Sequence, residues 1–361
     1  MSEISKIEVW MNGCQVGTMA LTPYRPQCCA FEYTVGWLKN GFSISPFELP
    51  LTAGLKIANY HPFEGLFGVF ADSLPDGWGM LVLNRYLSNK GVNIRNLNVL
   101  EQLCLVGSEG RGALEYRPDR SLRNNKEFLD FEQLATETEA ILSSDDYIGE
   151  HLEEIVERGG SPGGARPKIF MKNEGTEWLV KFRAKGDKED IGRLEYEYSV
   201  LAKKCGIEMS QTKLFGGKWF GTQRFDRIDG RKIHVVTAGG LLQADYTTPC
   251  MDYSHLFALA ERLTHSMEDM WKIYRLMCFN VLIGNCDDHA RNFAFIYDTQ
   301  WHFAPAYDIL PNGGYLGYHT TSVNDNPKPR FEDIIALATK VGLDVKTADA
   351  IYKEIKNKLQ A

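Results

Sequence analysis

The stretch that decides the fold is Asn285-Cys286-Asp287-Asp288-His289-Ala290-Arg291-Asn292-Phe293, followed by Ala306-Tyr307-Asp308-Ile309-Leu310-Pro311. An acid with an Asn five residues on, Asp287 and Asn292, is the spacing of a kinase catalytic loop. In such a loop the Asp orients or deprotonates the attacking hydroxyl and the Asn binds a metal ion. Asp308 then supplies the other metal contact. The apolar pieces between them, FAFIY and WHFAP, read as a hairpin. Mg²⁺ prefers carboxylate, amide and phosphate oxygens, and these residues offer that set. Two other readings fit the cluster alone. Asp287-Asp288-His289 can cap a helix, or a His–Asp group can hold a hydrolytic metal. The second lacks further ligands, because His255, His265, His302 and His319 form no HxxxH pair.

Upstream, SHLFALAERL and MEDMWKIYRLMCFNVLIG carry apolar residues at helical spacing, with Ser266 as N-cap of the second. Further upstream lies Ser161-Pro162-Gly163-Gly164-Ala165-Arg166-Pro167-Lys168, a glycine-rich loop feeding a hairpin. Small residues let backbone N–H groups approach a phosphate chain, and Arg166 and Lys168 would neutralise it. The loop matches neither GxxxxGK[ST] nor GxGxxG, so neither a Walker loop nor a Rossmann fold is supported. Residues 161–185 hold six Lys/Arg and two acids, a local +4.

In Trp178-Leu179-Val180-Lys181-Phe182, alternation puts Trp178, Val180 and Phe182 on one strand face and Lys181 on the other. A Lys there can hold phosphates if an acid fixes it, and Glu195 on the next helix is the candidate. The alternative is an edge-strand Lys facing water. Gly206 is placed to cap that helix, and Gly216-Gly217 to turn the hairpin that follows.

The N-terminal part reads as β. Ile7, Val9 and Met11 alternate, Asn12-Gly13 is a hairpin turn, and CQVGTMAL and CCAFEYTV continue. From Asp76 the pattern turns helical, and glycines 107, 110 and 112 precede a boundary near residue 117.

The chain has 361 residues, with 40 Lys/Arg against 47 Asp/Glu, a net charge of −7. Such a balance disfavours a stand-alone nucleic-acid coat, which needs a cationic surplus. Nine acids and no Lys or Arg lie between Asp130 and Ile155, which reads as the solvated face of exposed amphipathic helices. Subtracting those nine acids from −7 leaves +2 for the rest. No apolar run reaches the roughly 18 residues of a membrane helix. MSEISKIEVW shows no signal peptide. The eight cysteines are scattered without a CxxC pair. Free thiols in a reducing cytoplasm are therefore expected.

Glycine loop, strand Lys, helix Glu, hairpin, helical region, DxxxxN, then Asp: this is the order of a protein-kinase-like fold, although HRD, DFG and APE are absent. The expected class is α+β, a two-lobed kinase-like fold with an extra N-terminal β-rich subdomain and a mostly helical C-lobe. Residues 1–117 form the subdomain, 118–226 the N-lobe and 227–361 the C-lobe.

With FADSLPDGWG (70–79), LVGSEGRGALEYRP (105–118), the SPGGARPK loop, RFDR (224–227), NCDDHARNF and AYDILP, the chain resembles the HipA family of bacterial toxin kinases. The resemblance implies a Ser/Thr kinase using ATP and Mg²⁺. It makes Asp287 the catalytic base and Asn292 and Asp308 the Mg²⁺ ligands. Lys181 would contact the ATP phosphates, with His289 and Tyr307 nearby, and Gly163, Gly164, Ala165, Arg166 and Lys168 would form the nucleotide loop. Gln223, Arg224 and Phe225 would give backbone bonds to adenine. Many members have Glu at the position of Gln223, a change a backbone role tolerates. Ser161 would be the autophosphorylation site that switches the kinase off. A HipB-type helix-turn-helix antitoxin is the implied partner, with DNA contacted only through it. The implied substrate is a translation protein such as an aminoacyl-tRNA synthetase, whose phosphorylation arrests growth. The competing functional reading is a co-repressor in which catalysis is secondary.

Overall fold

Asn12 and Gly13 both have positive φ, 46° and 82°, the geometry of a tight hairpin turn. They join the strands Lys6–Met11 and Cys14–Leu21. The computed structural model describes residues 4–24, 26–122, 130–144, 151–159, 164 and 166–360. These strands sit inside a five-stranded antiparallel sheet, in the order Lys56–Ile57, Cys29–Tyr33, Cys14–Leu21, Lys6–Met11, Leu114–Arg117. The alternation read from sequence holds: Ile7, Val9 and Met11 are buried and Lys6 and Glu8 are exposed. Gly17 is required here, since a Cβ would lie 2.6 Å from an edge carbon of the Phe31 ring.

The chain divides into two units. One comprises residues up to Arg193 with Thr212–His234, the other Leu194–Gln211 with Val235–Ala361. The first holds the sheet above and a second, four-stranded one, ordered Lys168–Asn173, Thr176–Lys181, Trp219–Gln223, Thr212–Phe215. Gly216 and Gly217 make its last hairpin turn with positive φ. Across the first pair, Ile169 faces Val180 and Met171 faces Trp178. These four join Phe182 in one core with residues of the helices Gly77–Asn89, Phe131–Ser143 and Leu152–Gly159.

The acidic stretch therefore differs from expectation. Its helices are not merely a solvated face, because Leu134, Ile141, Leu152 and Ile155 are buried. Each such side chain contributes roughly 1.5–3 kcal/mol. Glu137 and Glu154 are buried as well. Outward acids meet bases of this unit: Glu132 pairs with Lys218 and Glu139 with Arg183.

The second unit is mostly helical, with Tyr253–Leu263, Met267–Ile283, Phe331–Lys340 and Val345–Gln360. Ser266 caps the helix Met267–Ile283 by accepting from the Asp269 N–H. Tyr274 on that helix donates to the Ala348 carbonyl, and Arg275 pairs with Glu354 at 3.2 Å. A small sheet orders His234–Thr237, Ala294–Tyr297 and Trp301–Phe303, the last two being the expected hairpin. The architecture is α+β and kinase-like, as the motif order predicts. Cysteines 14, 28, 29, 104, 205, 250, 278 and 286 are free thiols. Among the described residues no helix is long and apolar enough to cross a membrane.

Candidate active site

The helix Met267–Ile283 stops at Gly284, whose φ of +71° closes its C-terminus. The chain then enters the decisive segment. Cys286 N–H donates to the Asn312 carbonyl, and Thr320 N–H donates to the Cys286 carbonyl. Asp288 is buried and gathers four donors. Its Oδ1 accepts from the backbone of Thr320 (3.0 Å) and Thr321 (3.1 Å). Its Oδ2 accepts from Tyr253 Oη (3.1 Å) and lies 2.9 Å from His319 Nδ1. The Thr321 hydroxyl donates to the Asp288 carbonyl. Burial, and next the Asp288 charge, push the Tyr253 hydroxyl well above its usual range, so it stays a donor. Asp287, the adjacent residue, is exposed. One acid of the pair fixes the loop and the other is presented by it.

His289 Nδ1 accepts from the Arg291 N–H and so caps the short 3₁₀ turn Ala290–Asn292. The helix-cap reading thus applies to His289. Asn292 donates Nδ2–H to the Asp287 carbonyl at 2.6 Å. That bond settles which end of the amide is nitrogen and leaves the oxygen end for a cation. Tyr307 Oη donates to the Arg291 carbonyl at 2.7 Å. It ties the residue before Asp308 to the residue before Asn292. Asp308 has φ +56°, a left-handed conformation that Asp tolerates better than most residues. Hydrogen bonds therefore join Asn292 to Asp287, and the residue before Asp308 to the residue before Asn292, within one unit. An amide and a carboxylate fit Mg²⁺, whose remaining sites are usually taken by phosphate oxygens and water. Among the described residues no group of three or more His, Cys, Asp or Glu is placed to hold a metal.

A cleft of about 540 Å³ opens beside Asp287, lined among others by Cys286, Asn312, Tyr315, Tyr318 and His319.

In the first unit, Lys168 stands directly opposite Lys181, so both occupy the sheet face away from the helices. Both are buried, and Lys181 Nζ lies 5.7 Å from the Phe220 ring centroid. The strand Thr176–Lys181 has neighbours on both sides, so Lys181 is not on an edge. Gly164 has φ +102° and is held from two directions. Its N–H donates to Asp76 Oδ1 and its carbonyl accepts from the Trp78 N–H. Arg166 pairs with Asp187 at 3.1 Å. Ser161, Gly163 and Ala165 lie outside the described residues. Glu195 is buried on the helix Ile191–Lys204 and belongs to the second unit.

Gln223 ends a strand opposite Trp178. Arg224 donates its N–H to the Glu177 carbonyl, and its guanidinium bonds Asp226 and the Gly110 carbonyl. Asp226 also accepts from the Gly112 N–H and pairs with Arg227. Burial would raise the Asp226 carboxyl, but Arg224 first and then Arg227 outweigh it and hold it well below the usual range. RFDR thus binds the strand end to the glycine segment 110–112. The Arg224 guanidinium is thus engaged within the fold, by Asp226, Gly110 and, at 3.6 Å, Glu177.

The model of the HipA-like C-terminal domain matches residues 160–361, and that of the HipA N-terminal domain matches residues 7–117. The chain belongs to the HipA family. Two curated proteins of Sinorhizobium fredii are similar to it. "Putative kinase Y4dM" is 21% identical over 334 residues, covering 85% of this chain and 79% of that protein. "Putative kinase Y4mE" is 28% identical over 131 residues, 32% of this chain and 31% of that protein. Among solved structures, the Shewanella oneidensis MR-1 toxin–antitoxin complex of HipA, HipB and operator DNA contains a chain of the same fold. Its TM-score is 0.75 at 19% identity, covering 98% of this chain and 88% of that one.

Four residues that hold these segments in place, three around Asp287 and one in the first unit, carry no readable signal in the sequence. Asp288 is flagged only as part of a doublet, and nothing local says which acid is buried. Tyr253 and His319 lie 35 and 31 residues from it in sequence, and no spacing rule links them. Asp76 sits in the quoted FADSLPDGWG motif, but its grip on Gly164 spans 88 residues.

Proposed function

We propose that this chain is a Mg-ATP-dependent serine/threonine protein kinase and the toxin of a HipBA-like toxin–antitoxin pair. The observation that carries the reading is the Asp287 segment. It presents an exposed carboxylate on a loop fixed by buried Asp288, and hydrogen bonds join it to an oriented Asn292 amide and to the Asp308 loop. Asp287 takes the proton of the acceptor hydroxyl while that oxygen bonds to the γ-phosphorus. The bond from that phosphorus to the bridging oxygen breaks, and ADP leaves. Asn292 and Asp308 hold Mg²⁺, which neutralises phosphate charge when bound. Lys181, with Lys168, Gly163, Gly164, Ala165 and Arg166, contacts the phosphates, and His289 and Tyr307 lie near them. Gln223, Arg224 and Phe225 meet adenine through the backbone, Arg224 by its carbonyl.

Phosphorylation at Ser161 would add about −1.5 to −2 charges to this loop and repel ATP. The partner is a HipB-type antitoxin, through which DNA is contacted. The substrate is a cytoplasmic translation protein such as an aminoacyl-tRNA synthetase. Asp287→Gln tests the core of the reading: transfer from radiolabelled ATP should vanish with the melting temperature unchanged. Transfer by that variant overturns the assignment. Phosphopeptide mapping of purified chain checks Ser161.

The complex of the Shewanella HipA with HipB and operator DNA supports a second reading, a co-repressor with secondary catalysis. ATP turnover or autophosphorylation by the isolated chain separates the two.

A further inference from the structure

We propose that the cleft beside Asp287 is the acceptor site, and that it takes an extended polypeptide segment whose Ser or Thr is flanked by apolar side chains. This rests on the kinase reading above and names its substrate class. The cleft's volume, about 540 Å³, suits a few side chains of a ligand. Asp287 stands in its wall, so whatever fills it lies against the proposed base. Its lining contains Asp287 but no Lys or Arg. An acceptor carrying phosphate or flanking carboxylates would meet the like charge of Asp287 there.

The wall facing solvent is aromatic. In the lining, Tyr315 is 82% exposed and Tyr318 44%, and Leu316 between them, outside the lining, is 67% exposed. The turn that carries them is closed by backbone bonds. Gly317 N–H donates to the Gly313 carbonyl, and Tyr318 N–H to the Tyr315 carbonyl. Lys328 lies 4.4 Å over the Tyr318 ring, engaged by an aromatic face and outside the lining. The wall is also fixed to the catalytic segment. His319 and Thr320 bond to Asp288, and a Cβ on Gly314 would stand 2.7 Å from Cys286 Cβ. A single carboxylate, Asp288, therefore sets both Asp287 and the aromatic wall. Two exposed aromatic side chains lining a cleft beside a reacting group, with exposed Leu316 between them in the chain, form a recognition surface.

The test uses the full chain and two dye-labelled peptides. One has a central Ser flanked by Leu and Tyr, and the other has Glu at the flanking positions. Fluorescence anisotropy without ATP reads binding independently of transfer. The apolar peptide should bind at least about tenfold more tightly than the Glu peptide. Tyr315→Ser and Tyr318→Ser should each weaken it about tenfold, while Tyr24→Ser, an exposed tyrosine in the first unit, leaves it unchanged. With ATP, the two wall variants should raise the peptide KM and not the ATP KM. Equal affinity for both peptides, or wild-type affinity in the wall variants, overturns the proposal. If the binding ranking holds but no peptide is phosphorylated, the cleft stands and the kinase reading fails. If both peptides are phosphorylated with equal KM, the kinase stands and the acceptor class fails.

Discussion

His319 Nδ1 lies 2.9 Å from Asp288 Oδ2, and both side chains are buried. The contact joins two segments that sequence leaves 31 residues apart. The same carboxylate also receives two backbone N–H groups and the Tyr253 hydroxyl. Asp288 is thus a positioning residue, and Asp287 inherits its place from it.

Removing that carboxylate strands several buried donors. Asp288→Ala should cost about 3–5 kcal/mol in urea unfolding. Asp288→Asn keeps the shape but turns an NH₂ toward a donor, so it should cost about 2–3 kcal/mol. His319→Ala should cost less, because the other three donors keep their acceptor. A loss under about 1 kcal/mol for Asp288→Ala would remove Asp288 from this role.

Asp226 is held below the ordinary carboxylate range by Arg224 and Arg227 against the opposing effect of burial. A depressed folded-state pKa gives stability that is fully present above the unfolded value, near 4, and lost as pH falls below it. Asp226→Asn removes the nearer, buried anion of two guanidiniums and leaves them the more exposed Glu177, 3.6 and 3.5 Å away. It should cost about 3–5 kcal/mol at neutral pH, and much less near pH 2. Chemical denaturation at both pH values checks this, and an equal cost at both would contradict the assignment.

His234 is buried, and its Nε2 lies 2.8 Å from the Ile44 carbonyl. Burial drives its pKa down from 6.5 to about 4, with the Ile44 bond opposing. The unfolded chain therefore takes up a proton first as pH falls. Stability is whole above about 6.5 and falls until about 4, by roughly 3 kcal/mol. His234→Gln keeps a donor for Ile44 and cannot titrate. Its stability should change less between those pH values than that of the native chain, and parallel curves would rule the effect out.

The hairpins and capped helices were legible because their signals are local. Asn12-Gly13, Gly216-Gly217, Ser266 and Gly206 all act within four residues of themselves. Periodicity also placed Lys181 opposite the Trp178 face, because a strand alternates. The acidic helices misled because charge count says nothing about the buried stripe beneath; Leu134 and Ile155 decide their fate. The hub at Asp288 was illegible for the opposite reason. Its partners come from distant segments, and only the folded chain shows which of two adjacent acids turns inward.

Gly164 offers a test of the nucleotide loop. Its φ of +102° is strained for any side chain, and a Cβ there would stand 2.5 Å from Lys168 Nζ. Gly164→Ala must move that ammonium, strain the backbone or break the bonds to Asp76 and Trp78. Each route disturbs the loop and Lys168 while leaving the Asp287 segment in its own unit. The ATP KM should rise about tenfold with a smaller change in kcat, because the loss falls on ground-state binding. Asp76→Ala frees the same glycine from one side and should move the ATP KM in the same direction. Asp76→Asn retains an acceptor oxygen and should restore most of it. If Asp76→Ala alters only the melting temperature, Asp76 supports the fold and has no hold on the nucleotide.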